Sequence, residues 1–493
     1  MNDKTKLGLN ILGAALVLGV LGDGLLRATP WGVNVLLWVG ALLCAVIAIV
    51  RWRKIALSAG APWLILPAIN FAAGFVWCDS PTLKVLDGLV LFVTLSLAVM
   101  CMRAGRARLI GVMQYALGVA ASLFHMLFGP LMLILGDIQW KEIPRDGWAR
   151  HAIAAGRGFA ITLPLLLIFN GLLMSADAVF ENIVSNVLRM DFDRLVSHIF
   201  LSGLCAWLVG GLLRGMFGES APATASAERQ QLFSLGIVEI GIVLGLLDLL
   251  FLGFVIVQFR YFFGGAAMVE STAGLTYAEY ARRGFFELVA VAALVLPLLL
   301  FTHWLLRKGA VAHERIFRAL AGAQILMLFI IMASAFQRMR LYQSEYGLTQ
   351  LRLYTTAFMC WLAIVFIWFA VTVLRGRRDR FASGALASAF VAIAALHLLN
   401  PDAFIVRTNV AHIKAGRNFD ARYAASLSAD AAPELIAALP ELSQQERCLV
   451  ASRVLERWSP PERAPWRTWN WSRARAWQAV RENERILKEA ECK

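Results

Sequence analysis

The sequence predicts an all-α, polytopic integral membrane bundle of about eleven or twelve transmembrane helices, followed by a small α-helical C-terminal tail domain. Two observations carry this expectation. Of 493 residues, 59% are hydrophobic and 16% charged, against roughly 45–50% apolar and about 25% charged in a soluble domain. The apolar surplus also falls in blocks of about twenty residues, the length that takes a helix across ~30 Å of hydrocarbon. Lipid offers the backbone no hydrogen-bond partners, so each block must satisfy its own amides, and a helix does so.

Eleven blocks run near 8–26, 31–50, 60–78, 83–102, 158–178, 195–214, 232–258, 285–306, 317–337, 353–374 and 381–399. They divide the chain into a four-helix membrane segment (1–108), a region without a clear crossing (109–157), a seven-helix membrane core (158–399) and the tail (400–493). The first block follows Lys4 and Lys6 but lacks a small-residue cleavage pattern before Trp31, so it is expected to stay as an anchor. Basic residues gather in alternate linkers: Lys4 and Lys6, Arg51 to Lys54, Arg103 to Arg108, Lys141 to Arg157, Arg214 and Arg229, Arg307 to Arg318, and Arg375 to Arg380. The positive-inside rule then places these linkers and the N-terminus in the cytoplasm of a bacterium and the tail in the periplasm, with the protein in the inner membrane. The net charge of +14 is thus read as topology, and no nucleic-acid partner is expected.

Residues 109–136 are apolar, yet both of their flanks are basic. They are expected to enter and return, or to lie along the interface, with Phe128-Gly129-Pro130 as the break because proline removes an intrahelical bond. An ordinary span that ignores the charge bias is the competing reading.

In the tail, Ser443 and Glu446 form a capping box before a helix over 447–458, and a second helical pattern covers 472–489 after Pro460-Pro461. Trp458, Trp466, Trp469, Trp471 and Trp477 suit either docking on lipid or the membrane domain, or a small tryptophan-rich core. Cys448 and Cys492 are the two tail cysteines; they can pair in an oxidising periplasm or remain free thiols. No Cys/His spacing marks a zinc site, and no metal or cofactor is expected.

Three stretches occur together: GFAITLPLLLIFNGLLMSADAVF at 158–180, GLTYAEYARRGFFELVAVA at 274–292 and RMRLYQSEYGLTQLRLYTTAF at 338–358. With NPDAFIVRTNV at 400–410 and SLSADAAPEL at 426–435, they resemble a bacterial family of polytopic membrane proteins of unknown function, the DUF4173 type, related to the DUF4153 type. The resemblance covers roughly 150–440. It implies a membrane address and assigns no chemistry.

The candidate site residues are the charges and tyrosines at span ends. Thr276 and Glu279 make a capping box, so a helix starts at Tyr277 and carries Glu279, Arg283 and Glu287 on one face, with Tyr280 and Arg282 beside them. Arg338, Arg340 and Arg352 bracket Tyr342, Tyr346 and Tyr354, and guanidinium groups suit phosphate or carboxylate. Both groups also suit an interfacial collar. Asp177 and Glu181 are possible counter-charges at the end of the 158–178 block, and all these linkers share a face with the tail. Deeper, Asp248 lies mid-span, with Glu239 on roughly the opposite face and Gln258 and Arg260 at the end; an ionisable residue inside a membrane is a functional candidate by default. Asp23 and Asp87 sit near span ends, where water can reach them, and are discounted. His198, His303 and His397 lack metal-binding spacing.

These features suit transport or handling of an anionic or amphipathic solute or lipid through a polar periplasmic mouth. A non-transporting signalling or scaffold protein, whose tail holds a protein partner, is the alternative. No nucleophile elbow, kinase or ATPase motif is present, so enzymatic chemistry is disfavoured. Membrane lipid and an unknown solute or protein partner are the expected contacts.

Overall fold

The computed structural model describes residues 2–54, 62–104, 112–142, parts of 158–177, 192–218, 235–273, 285–306, 311–413 and 416–491. These residues are helical, without a strand among them, and one isolated bridge joins Leu235 to Leu306. The long helices are α1 (Asp3–Leu26), α2 (Val33–Trp52), α3 (Ile65–Trp77), α4 (Pro81–Ala104), α5 (Val112–Met132), α6 (Phe192–Phe217), α7 (Ile237–Ala273), α8 (Phe285–Leu305), α9 (Val311–Tyr346), α10 (Gln350–Thr372) and α11 (Phe381–Leu399). Ten of them are long and apolar enough to cross a membrane; α3, with its preceding turn from Pro62, is shorter. Residues 168–176 are helical as well. The expected polytopic bundle is therefore the fold.

Two packed groups face each other across α11. In the first, α1 and α6 run antiparallel, and Gly19 sits so close to Ser202 and Ala206 that an added Cβ would lie 2.5 Å from the Ser202 carbonyl oxygen. Small residues permit this approach, as helix pairs in lipid require, because apolar burial does not drive them together there. In the second, α7, α8, α9 and α10 enclose a core built on Leu244, Phe251, Phe317, Leu328, Phe366 and Phe369. Helix α11 closes the gap between them. Ser388 accepts a hydrogen bond from Trp361 of α10 at 3.2 Å, while Phe390 and Ile393 pack on the cluster of α2, α3 and α4.

Helix α5 behaves differently from its neighbours. Pro130 does not break it; the helix passes through and widens to a π-turn over Leu133–Asp137. The expected break is absent because Gly129 packs directly on the Gly211 backbone of α6, and Trp207 donates to the Leu127 carbonyl at 2.9 Å. The 26 residues from Val112 to Asp137 would reach about 39 Å, yet they touch only one end of the bundle. Gly118 meets Met100 and Ser122 bonds the Ser96 carbonyl, both on the closing half of α4. His125 and Gly129 meet Gly215 and Gly211, close to the end of α6. Gly8, near the start of α1, packs on Leu133 and Ile138, and Asp137 ion-pairs with Arg214 at 2.6 Å and Lys4 at 3.7 Å. Both ends of α5 therefore lie at the end of the bundle where α1 begins. Introduced separately, cysteines at Met113 and Trp140 are expected to react with an impermeant maleimide from the same side of the membrane; labelling from opposite sides would mean that α5 crosses.

The tail folds onto the other end. It contains α12 (Pro401–Ile413), α13 (Ala421–Ser426), α14 (Ala432–Ala438), α15 (Gln444–Trp458), α16 (Trp471–Glu482) and α17 (Glu484–Ala490). The Ser443–Glu446 capping box is formed, while the expected second helix is divided at Asn483. The tail core includes Val406, Leu435, Val450, Val480 and Leu487, and it continues into the bundle through Leu348 and Leu353 of the α9–α10 region. Of the tryptophans, Trp458 packs on this core, whereas Trp469 and Trp471 sit partly exposed at the junction, Trp471 stacked on Trp77 of α3. Trp31 is exposed at this end and Trp52, Trp63 and Trp140 at the other. Along α2 that separation is about 30 Å, the thickness of the hydrocarbon layer whose two borders tryptophan favours.

Candidate functional site

Asp430 is the centre of the tail's attachment. It lies in a single turn, Ala429–Ala431, whose two alanines are fully buried, and the aspartate itself is 5% exposed. One carboxylate oxygen accepts the amides of Asp79 at 2.7 Å and Ser80 at 3.0 Å, the residues that lead into α4. The same oxygen contacts the Ser428 hydroxyl at 3.0 Å, and the other accepts from Ser472 and from Asn400 at 3.2 Å. A carboxylate suits this place because the first amides of a helix lack intrahelical partners and carry partial positive charge. Burial pushes the Asp430 carboxyl above the usual range, and the bonds from Ser472, Asp79 and Ser428 pull it back.

A second buried carboxylate lies alongside. Asp402 is fully buried and takes Gln350 at 2.7 Å, the Ser428 amide at 3.1 Å and the Ser428 hydroxyl at 2.5 Å. The single hydrogen of Ser428 thus bridges two aspartates. Tyr423 completes this side by accepting the Gln350 amide at 2.6 Å. That contact serves the start of α10 in place of Thr349, which stands at the N-cap position without a side-chain cap bond. Gly347 does make the turn before it, at φ +72°.

Arg473 anchors α16 to two loops of the bundle. It is 5% exposed, bonds the carbonyls of Pro30 and Trp31, each at 3.3 Å, and pairs with Asp79 at 3.5 Å, while Lys84 holds Asp79 at 2.6 Å. Burial pushes the Arg473 guanidinium down and Asp79 opposes it. Asn470 donates to the carbonyls of Phe75 and Cys78, and Gly32 lies so close to the tail that an added Cβ would stand 2.3 Å from the Trp469 carbonyl oxygen.

Asp23 and Asp87, discounted as wet, are both buried, and each pairs with a histidine. Asp23 binds Arg27 and contacts His198 Nδ1; Asp87 faces His397 Nε2 at 3.1 Å. Their partners on α6 and α11 are distant in sequence, so position within a span did not reveal the pairing. In the second pair His397 Nδ1 lies 2.9 Å from the Ile393 carbonyl and must carry a hydrogen. One further proton must then sit between Nε2 and Asp87. The other Asp87 oxygen has no hydrogen-bond partner. Gly74 covers the pair so closely that its Cβ would be 2.5 Å from Asp87 and 2.7 Å from His397.

The expected mouth is partly described. Arg338 donates to Gln258 at 3.1 Å, and Ser334 donates to the same oxygen at 2.9 Å. Arg340 and Tyr346 are exposed. Arg352 stacks 3.9 Å above Tyr342 and bonds the carbonyls of Tyr346 and Gly347, so it closes the end of α9, a collar role. Asp177 is exposed at the end of the 168–176 helix, and Glu287 is exposed in the first turn of α8. The Arg260 side chain and residues Glu181, Tyr277, Glu279, Tyr280, Arg282 and Arg283 lie outside the described residues, and so does the expected joining of the Glu279–Arg283–Glu287 ladder to its neighbours. Asp248 is buried at its carboxylate oxygens, which have no hydrogen-bond partner, and the fully buried Gln324 amide has none either. Cys448 is disulfide-bonded, five other cysteines are free, and Cys492 lies outside the described residues. No cluster of three metal-ligating side chains occurs among the described residues.

A bundle of apolar helices capped by a docked tail, with polar groups confined to the two ends and a few buried positions, defines a multi-pass integral membrane protein. The chain belongs to the DUF4153 family, a domain of unknown function, whose model matches residues 65–438. The match starts well before the stretches that carried the resemblance, and it takes in α3, α4, Asp402 and Asp430. No curated protein and no solved structure matches the chain.

Replacing Asp430 by Ala leaves its donors unsatisfied and is expected to destabilise the detergent-solubilised protein by about 3–5 kcal/mol, the usual cost of breaking a buried charged network. A thermal melt within a degree of the parent would show that the socket does not hold the tail. Gly74→Ala is expected to lose about 1–3 kcal/mol by overpacking, and Asp87→Ala in the same chain should recover part of that loss. Additive losses in the double variant would contradict the contact.

Proposed function

We propose that this protein binds and moves an amphipathic anion, such as a lipid or lipid-like solute, in the inner membrane of a bacterium, with its site opening on the periplasmic face. One observation carries the reading. A groove of about 380 Å³ runs along the outer part of α9, lined by Ala333, Phe336, Gln337, Arg340, Leu341 and Ser344. Among the described residues, its lining combines apolar side chains, neutral hydrogen-bonding groups and one arginine, with no acid. An anionic head would pair with Arg340, and a chain would lie along Phe336 and Leu341; a guanidinium fits phosphate or carboxylate better than an ammonium does. Arg338, two residues away, turns inward to Gln258, so the polar path continues into the bundle.

The orientation rests on charge. Lys4, Arg53, Arg214, Arg318 and the 375–380 cluster share the end away from the tail, which the positive-inside rule assigns to the cytoplasm. The alternative, a signalling or scaffold protein, is favoured by the polar socket under the tail, which would make the tail a fixed platform.

Native mass spectrometry of the purified protein with anionic and zwitterionic phospholipids tests the first reading. Retention of the anionic lipid that falls about tenfold in Arg340→Gln, near 1.4 kcal/mol, is expected; equal retention by parent and variant removes the reading. An alkaline phosphatase fused after Lys493 should be active in the cell, and an inactive one would reverse the orientation.

A further inference from the structure

We propose that Asp248 and Gln324, brought level with one another on α7 and α9, form a proton-binding site in the middle of the membrane. The proposal deepens the transport reading and rests on it only for what the proton drives.

The register of the two helices brings these residues level. The bridge between Leu235 and Leu306 sets the start of α7 beside the end of α8, five residues before α9 begins, and farther along Gln258 touches Ser334. The helices therefore run parallel. Leu244, Phe251 and Gln258 recur every seven residues along the inward seam of α7, and Asp248 and Val255 stand three residues before Phe251 and Gln258, Val255 buried and Asp248 half-buried at the edge of that seam. On α9 the matching rows are Leu320, Met327 and Ser334, then Phe317, Gln324 and Ile331. In parallel helices packed on such a repeat, like positions face each other in layers. Gln258 faces Ser334 in one layer; ten residues earlier on each helix, Asp248 faces Gln324. The layers on either side hold Leu244 and Leu320, and Phe251 and Met327, all apolar.

Nothing charged on either helix shares that layer. The nearest ionisable groups on α9 are Arg318 and Arg338, on α7 Glu239 and Arg260, and α8 carries Glu287 and His303 only near its ends. Polar groups this deep are costly unless satisfied or used. The oxygens of Asp248 and both polar atoms of Gln324 are nonetheless buried without partners. A small side-chain adjustment would satisfy them together. The acid O–H would donate to the amide oxygen and the amide N–H to the other acid oxygen, giving a neutral two-bond ring. An alkali cation would find only three oxygens there, whereas hard cations take six or more. A proton needs one acceptor. Loss of the proton leaves a carboxylate whose only donor is the Gln324 amide, so protonation changes the charge of the seam directly below the Gln258–Ser334–Arg338 layer.

The test is labelling of the full-length protein in nanodiscs with dicyclohexylcarbodiimide, which attacks protonated carboxyls in apolar surroundings, read by peptide mass spectrometry across pH. Labelling at Asp248 is expected at neutral pH and should decline at alkaline pH; Asp248→Asn, which keeps the shape, serves as the folded control. Charged hydrogen bonds are roughly twice as strong as neutral ones, so Gln324→Leu should weaken the carboxylate more than the acid and raise the pH midpoint. A rise of about one unit, a tenfold change in the proton equilibrium, is expected. No labelling of Asp248, a rate independent of pH, or an unchanged midpoint in Gln324→Leu overturns the proposal. Protection by sodium at constant pH also overturns it, in favour of a cation. The lipid-retention measurement on Arg340→Gln fails or succeeds independently, so the transport reading and the proton site are judged separately.

Discussion

The carboxylate of Asp430, buried where the tail meets the bundle, is the interaction on which the architecture depends. It occupies the start of α4 and at the same time bonds Asn400 at the end of α11 and Ser472 at the start of α16. Three parts of the chain distant in sequence are thus referred to a single side chain. Arg473 and Asn470 extend the same joint to the loops before α2 and α4. The tail is consequently a continuation of the membrane domain, with an apolar core that also runs without a break into Leu348 and Leu353.

Among the membrane helices, four buried or half-buried aspartates follow one rule and one exception. Asp23, Asp87 and Asp137 each meet a basic partner from another helix: His198, His397 and Arg214. These pairs lie toward the ends of the bundle, and they join α1 to α6, α4 to α11, and the turn after α5 to α6. Asp248 lies deeper, and its carboxylate oxygens are buried without a hydrogen-bond partner; in the proposed site it faces an amide instead of a base. A pair that merely joins helices needs no mobile proton, whereas an acid facing only a neutral amide changes the charge of its layer whenever it ionises.

Close helix contacts depend on small residues. Gly19, Gly129 and Gly211 let α1, α5 and α6 approach until backbone meets backbone. For α5 this contact has a topological consequence, since it allows a largely apolar helix to lie across the ends of its neighbours. The exposed side chains Leu117, Phe124, Leu127 and Leu131 then remain on its outer surface, where lipid accommodates them.

Composition and the length of the apolar blocks were enough to determine the helical membrane class and most of the spans, because hydrocarbon thickness and backbone hydrogen bonding leave few other solutions. Local sequence also read the Ser443 cap, which involves only neighbouring residues. It discounted Asp23 and Asp87 because depth along a span says nothing about which neighbour covers it. It expected Pro130 to break α5, yet packing on Gly211 holds that helix through the proline. Asp402 and Asp430 stood in stretches that carried the family resemblance, but their role emerged only when α4, α10 and α16 were brought around them. Pairing between helices hundreds of residues apart is a property of tertiary structure: each partner reads in sequence as an ordinary polar residue, and only the fold removes the water that would otherwise have satisfied it.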